Sequence, residues 1–324
     1  MAVKISVILC TYNRCQSLTK ALESLATSTL SKNVEWEVVL VDNNSSDKTR
    51  EVAESFCRRH SNFRYLFEPQ PGKSYALNTG IREARGEILA FVDDDVVVES
   101  AWLQNLTAPL VNGKWAGVGG RILPAHSFSC PPWLSLSGPC AMGGILCAHF
   151  DLGGEARDLD LPPFGTNMAF HRSMFEKYGN FRTDMGPSPG SEIRSEDTEF
   201  GRRLIRAGES LRYVPSAVVY HEVSESRINK EFFLQWWFDY GRAQMRERGM
   251  PPDVWGIPRH YISIPKVIGS TLLIRTFRWM RSVNPQRRFF WKCYVWVTVG
   301  WIVEMPRLAR KAREGHTVPE RRPS

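Results

Sequence analysis

Asp93-Asp94-Asp95 close the apolar run Ile88-Leu89-Ala90-Phe91-Val92. Adjacent carboxylates repel one another unless a cation compensates them. A hard divalent ion does so directly, because Mg²⁺ and Mn²⁺ take carboxylate oxygens and keep positions open for a substrate phosphate. A strand that ends in such a cluster delivers it to the carboxyl edge of a parallel sheet, where open α/β folds bind ligands. The competing reading is a solvated acidic turn after a strand.

Other segments bear on that choice. Thr11-Tyr12-Asn13-Arg14 follows the first apolar run, and Asp42-Asn43-Asn44-Ser45-Ser46-Asp47 follows the second. Asp42 can accept from a ribose hydroxyl or a base N–H, or it can shape an Asx-turn, with Ser45 or Ser46 capping the next helix. In Pro71-Gly72-Lys73-Ser74 a loop enters a helix, and Lys73 with the helix N-terminus would attract a diphosphate. The first glycine of a Walker A loop is missing, and a solvated lysine is the alternative.

Ser195-Glu196-Asp197-Thr198-Glu199 reads as the first turn of a helix capped by Ser195. Acidic residues there complement the helix dipole, yet the cluster is richer than that role needs. One of its carboxylates is a candidate general base. His221 ends the run Val218-Val219-Tyr220 and is either structural or a metal donor.

The elements that must position these groups alternate. Val3–Leu9, Trp36–Val41, Phe63–Phe67 and Glu87–Val92 read as strands. Between them lie helical patterns carrying Leu18, Leu22 and Leu25, then Val52, Ala53 and Phe56, then Tyr75–Ala84. Such alternation predicts a parallel sheet covered by helices. From Trp102 to Tyr220 the pattern is less regular, with Pro- and Gly-rich loops between Pro124 and Gly165, a short strand from Gly165 and a helix over Arg172–Tyr178. After Ser226 the chain becomes helical and aromatic.

The chain has 324 residues, 43% hydrophobic and 23% charged, which suits a globular protein with a substantial core. Twelve Lys/Arg and three Asp/Glu fall in Arg275–Ser324, so the preceding 274 residues carry 30 basic and 31 acidic groups. The whole positive excess of +8 therefore sits in the tail, beside apolar residues, which argues against a nucleic-acid-binding module. Seven cysteines with no CxxC pair suit reduced thiols in a cytoplasmic protein, and the N-terminus reads as a strand rather than a secretory signal. The apolar stretch Cys293–Val303 is short for a spanning helix, which needs about 20 residues. Its basic flanks, and Arg275-Thr276-Phe277-Arg278-Trp279-Met280-Arg281, suit peripheral contact with an anionic membrane. The alternative is that these helices pack against the rest of the protein and leave their charges in water.

In this order, Ile5–Asn13, Val41–Thr49, Gly72–Gly80, Arg85–Asp95, Gly165–Phe181 and Glu196–Gly208 resemble the family 2 glycosyltransferases of the GT-A fold. The resemblance implies an α/β fold, a Rossmann-like nucleotide-binding sheet with helices on both faces. It implies a catalytic domain over 1–225, with a nucleotide-sugar half (1–95) and an acceptor half (96–225), followed by a helical extension over 226–324. It implies an inverting transfer of one sugar from a nucleotide sugar, a UDP-sugar foremost, to a glycan or lipid-linked acceptor. Under it, Thr11, Asp42, Asp93 and Asp94 would bind the donor, with Lys73 near the diphosphate or positioning the base. Asp95, with Asp93 and His221, would hold Mg²⁺ or Mn²⁺. Asp197 would be the catalytic base, with Glu196 supporting it. Processive members carry QxxRW after the catalytic acid; Gln235-Trp236-Trp237-Phe238-Asp239 lacks its Arg-Trp pair.

Two other readings remain open. Asp93-Asp94-Asp95-Val96 also resembles the DxDx[TV] motif of haloacid-dehalogenase phosphatases, although that motif follows a first strand and three strand-like runs precede this one. A non-catalytic sugar-nucleotide-binding protein is the third reading, against which Asp42, Asp95 and Asp197 stand.

Overall fold

The computed structural model describes residues 5–30, 34–111, 113–249 and 259–316; Val3, the expected start of the first strand, lies outside them. The chain forms two compact units, the first made of residues 1–129, 144–190 and 195–225. Its opening half alternates strand and helix: β1 (Ile5–Thr11), α1 (Cys15–Ala26), β2 (Trp36–Asp42), α2 (Thr49–Arg59), β3 (Phe63–Phe67), α3 (Lys73–Glu83) and β4 (Ile88–Asp93). β1 lies parallel between β2 and β4, and β3 continues the parallel block beside β2. Strands covered on both faces are apolar rather than alternating, which is why β4 reads as an apolar run to Val92 and β1 as one broken by Ser6 before Thr11. α1 closes the core with Leu18, Ala21, Leu22 and Leu25.

The register carries the functional consequence. Thr11 pairs with Asp42, and Cys10 with Asp93, so the carboxyl ends of β1, β2 and β4 are level. The Thr11–Arg14, Asp42–Asp47 and Asp93–Asp95 segments therefore leave one edge of the sheet together.

The second half comprises β5 (Val96–Val98), α4 (Trp102–Val111), β6 (Gly117–Pro124), β7 (Arg157–Leu159), β8 (Asn167–His171), α5 (Arg172–Tyr178), α6 (Glu196–Arg206) and β9 (Leu211–His221). The sheet runs β3-β2-β1-β4-β8-β6-β9-β5, with β7 also on β9. β8 enters antiparallel between β4 and β6. Periodicity does not reveal β6, because its face is built from glycine. A Cβ at Gly117 would strike the Phe170 ring, and one at Gly120 would strike the Asn167 amide and the Ala217 carbonyl. Asn167 is in turn a buried hub, accepting from the Trp102 indole at 2.8 Å and donating to the carbonyls of Arg121 and Ala217.

Local caps differ from expectation. Lys48, not Ser45 or Ser46, precedes α2, and Asp47 accepts the Thr49 N–H at 2.9 Å. Ser195 does precede α6, but its side chain makes no capping hydrogen bond.

The second unit comprises Cys130–Gly143, Ser191–Arg194 and the chain from Ser226. α7 (Lys230–Arg248) is capped by Asn229, which accepts the Phe232 N–H at 2.8 Å. α8 (Arg259–Val267) runs through a π-helical turn at Ile268–Leu272 into α9 (Leu273–Arg281), and α10 (Pro285–His316) follows. α10 packs along α7 so closely that a Cβ at Gly241 would strike the Val297 carbonyl, and one at Gly300 that of Phe238. The apolar stretch Cys293–Val303 belongs to this packing, with Cys293, Val295, Val297 and Thr298 buried. Among the described residues no helix is long and apolar enough to cross a membrane.

Candidate active site

The three aspartates at the end of β4 are each held differently. Asp93 accepts from Lys73 Nζ at 2.6 Å and from Thr166 Oγ1 at 2.7 Å. Burial alone would raise its pKa, but the Lys73 ammonium and these hydrogen bonds hold it far below the usual carboxylate range. Asp94 is buried and accepts from Thr11 Oγ1 at 2.7 Å and Arg14 Nη1 at 3.1 Å. Burial pushes its pKa up, Arg14 opposes that, and the flanking aspartates add to it. Asp95 turns Oδ2 to Arg14 Nη1 at 2.5 Å and Oδ1 towards His221 Nε2 at 3.4 Å. His221 reaches this point because β9 ends opposite Val96 of β5 and Pro124 of β6.

Asp93, Asp95 and His221 each offer one ligand atom, all within 4.8 Å of one another. Two carboxylate oxygens and an imidazole suit Mn²⁺, and the carboxylates also suit Mg²⁺. The outer contact of His221 agrees: its Nδ1 lies 2.7 Å from the Glu222 carbonyl, so Nδ1–H donates there and Nε2 is the nitrogen turned to the cluster. The residues present therefore fit a divalent ion.

Lys73 links this cluster to α6. Its Nζ is also 3.7 Å from Glu196 Oε1, while its backbone N–H donates to the Pro187 carbonyl at 2.9 Å. The start of α3 is further covered by Gly186, where any Cβ would strike the Ser74 hydroxyl. The side chain thus bridges Asp93 and Glu196. Glu196 is buried, its Oε2 has no hydrogen-bond partner among the described residues, and burial raises its pKa to about 7 against the pull of Lys73. Asp197 is half-buried and accepts from the backbone N–H groups of Gly165 and Thr198, both at 2.6 Å. These bonds fix its orientation and leave each oxygen a lone pair.

Asp42 stands apart from these contacts. Its carboxylate accepts the Ser45 N–H at 2.9 Å and the Tyr65 hydroxyl at 3.0 Å, the turn-shaping arrangement. Thr11, expected to touch the donor, is buried and donates its hydroxyl to Asp94.

Three residues without an assigned role in the sequence also shape the site. Arg14 supplies a cation to Asp94 and Asp95. Asn43 ties down the loop before α3, donating to the Glu68 and Gln70 carbonyls and accepting the Gly72 N–H at 2.7 Å. Gly72 needs its positive φ of 137° there, a region few side chains tolerate. Asn13, at a φ of 51°, accepts the Ser46 N–H at 2.7 Å and so joins the loops after β1 and β2. Only its type, Asn beside a strand end, could have signalled the left-handed turn.

Comparison with known proteins agrees with this geometry. The family model described as glycosyl transferase family 2 matches residues 6–179, and that of glycosyl transferase family group 2 matches residues 154–307. Glycosyltransferase AglE of Haloferax volcanii is 27% identical over 80% of this chain and 84% of its own. The glucosyl-dolichyl phosphate glucuronosyltransferase of the same organism is 24% identical over 75% of this chain and 77% of its own. Among solved structures, a Pyrobaculum calidifontis mannosyltransferase in complex with GDP-Man and Mn²⁺ superposes with a TM-score of 0.60 at 17% identity. That likeness covers 94% of this chain and 88% of the other. The fold is GT-A, and the phosphatase reading falls away. The chain belongs to glycosyl transferase family 2 and is a nucleotide-sugar glycosyltransferase of glycan biosynthesis.

Proposed function

We propose that this glycosyltransferase is metal-dependent and inverting, and that it moves a single sugar from a nucleotide sugar to an acceptor hydroxyl. The observation that carries the reading is the convergence of Asp93, Asp95 and His221 at the sheet edge. Asp95, Asp93 and His221 would hold the ion, which when bound would offset the negative charge that develops on a diphosphate leaving group.

The chain's own residues do the remainder. Asp42 receives the nucleoside with the carboxylate that Ser45 and Tyr65 orient. Thr11 acts through Asp94, whose carboxylate it holds at the donor site. Asp197 takes the acceptor proton, and the Gly165 and Thr198 N–H groups keep it aimed. Lys73 positions, bridging Asp93 to Glu196 beside the base. A single in-line displacement at the anomeric carbon, with Asp197 as sole base, inverts configuration.

A lipid-linked glycan is the acceptor class we favour, in keeping with the dolichyl phosphate named for one relative. The second unit supports it. α9 exposes Leu273, Ile274, Phe277 and Met280 beside Arg278 and Arg281, the apolar-and-basic character of a helix lying on an anionic membrane. Full-length protein should float with anionic vesicles at low salt and not at high salt; indifference to vesicles at both would end the peripheral reading.

The deciding experiment for the donor site is calorimetry with UDP, GDP and dTDP sugars, each with Mn²⁺ and with EDTA, followed by turnover. At least one donor should bind only with the metal. Equal affinity in EDTA would refute metal dependence. UDP-sugars are the first to try.

A further inference from the structure

Three aspartates at the end of β4 face two fixed cations, Lys73 and Arg14. Lys73 serves Asp93, whereas Arg14 Nη1 alone bridges Asp94 Oδ1 at 3.1 Å and Asp95 Oδ2 at 2.5 Å. Its backbone is anchored: the N–H donates to Thr49 Oγ1 at 3.2 Å, and the carbonyl accepts the Leu18 N–H at 2.9 Å. The side chain, by contrast, is 37% exposed, so a bound anion can reach the guanidinium. Asp95 is divided between two claims, with Oδ2 on Arg14 and Oδ1 towards His221.

We propose that Arg14 is a positioning residue and the built-in counter-cation of the acidic cluster, so that a divalent ion is held weakly alone and firmly only together with a nucleotide diphosphate. This rests on the metal-dependent reading above. A bare divalent ion arriving at the cluster competes with the guanidinium for Asp95, whose Oδ2 is already paired. A nucleotide diphosphate gives the guanidinium another anion to pair with. Arg14 then pairs with phosphate oxygens, for which its planar fork is suited, and Asp95 is free for the ion. Lysine at this position would keep the charge but lose the fork.

The test is Mn²⁺ binding by electron paramagnetic resonance to the full-length protein, to Arg14→Gln and to Arg14→Lys, each alone and with UDP or GDP. Thermal unfolding in EDTA is followed alongside as a check on folding. Arg14→Gln should bind Mn²⁺ alone about ten-fold more tightly than the unaltered protein, since one competing positive charge is gone. It should bind the nucleotide diphosphate at saturating Mn²⁺ about ten-fold more weakly, the phosphate having lost a charged partner. Its melting temperature in EDTA should fall, and Mn²⁺ should restore it. Arg14→Lys should keep the weak binding of Mn²⁺ alone but bind the nucleotide diphosphate more weakly, since it keeps the charge and loses the fork; unchanged nucleotide affinity would overturn the proposal even if Arg14→Gln fails to fold. Unchanged or weaker Mn²⁺ binding by Arg14→Gln would overturn the proposal while leaving the metal reading intact. Absence of Mn²⁺ binding by every form, even with nucleotide, would instead remove the metal reading and this proposal with it.

Discussion

Two ion clusters, one in each unit, invite comparison. In the second unit Asp239 and Glu304 are matched by Arg242 and Arg246 at 2.7–2.9 Å, and the half-exposed Arg307 lies 3.6 Å from Glu304. Both carboxylates are almost wholly buried, and each accepts from an arginine. At the sheet edge of the first unit, Asp93, Asp94, Asp95 and Glu196 share, among the described residues, the Lys73 ammonium and the Arg14 guanidinium, with His221 beside Asp95, and Glu196 Oε2 has no hydrogen-bond partner among them. A network that holds two helices together is balanced, because an uncompensated buried charge costs more than the pair contributes. A network left short of positive charge, with an imidazole nitrogen facing it, is what a divalent ion and a charged substrate would complete.

The sharpest way to break the comparison is at Asp95. Asp95→Asn should abolish metal-dependent donor binding, a loss of at least about a hundred-fold, because the ion loses an anionic ligand and the diphosphate its compensation. Calorimetry with UDP and Mn²⁺ reads this, and unchanged affinity would assign the ion elsewhere. Next comes the base. Asp197→Asn should leave donor affinity alone and reduce turnover by about 10²–10⁴-fold, the usual contribution of a general base. Normal turnover would move the role to another group, Glu196 first.

Glu304 tests the other side. Glu304→Ala should destabilise the protein by about 3–5 kcal/mol in urea unfolding, since Arg242 and Arg246 would lose their shared carboxylate. Mn²⁺ binding by the folded fraction should not change. A loss of metal affinity without a loss of stability would mean that the two clusters are not the separate kinds described here.

The two clusters were unequally legible in the sequence. The aspartate cluster could be read because it ends an apolar run, and parallel pairing levels the strand ends at Thr11, Asp42 and Asp93. Helical spacing likewise disclosed α1 through Leu18, Leu22 and Leu25. Arg14 was not legible, because its partners lie 80 residues further on and nothing in a strand-end Arg specifies which carboxylate it meets. Nor was Asn43, whose three hydrogen bonds belong to a loop 25–29 residues away. β6 escaped because its glycines, which usually signal a loop, are there to admit Phe170 and Asn167. The Asp239–Arg242 pair follows i,i+3 helix spacing, but Glu304 joins it only through the glycine contacts that bring α10 onto α7.

Stability against pH should separate Glu196 from Glu304 by sign, and this is the smallest effect expected. Burial raises the folded pKa of Glu196 to about 7 from an ordinary 4.5, with Lys73 opposing it. The folded state therefore binds more protons than the unfolded one between these values. The Glu196 contribution is fully present below 4.5 and is lost as pH rises through about 7, at most about 1.4 kcal/mol per pH unit. Glu304 runs the other way. Burial tends to raise its pKa, but Arg242 and Arg246 hold it below 4.5. Its contribution is present above 4.5 and is lost as pH falls through the lowered folded value. Urea midpoints measured from pH 4 to pH 8 in EDTA should decline towards the alkaline end, where Asp94 contributes alongside Glu196, and Glu196→Gln should reduce that decline. Glu304→Gln should leave the alkaline slope untouched and weaken the fall on the acid side. If Glu196→Gln leaves the alkaline slope as it was, Glu196 is ionised in the folded protein, and Lys73 compensates it as completely as the arginines compensate Glu304.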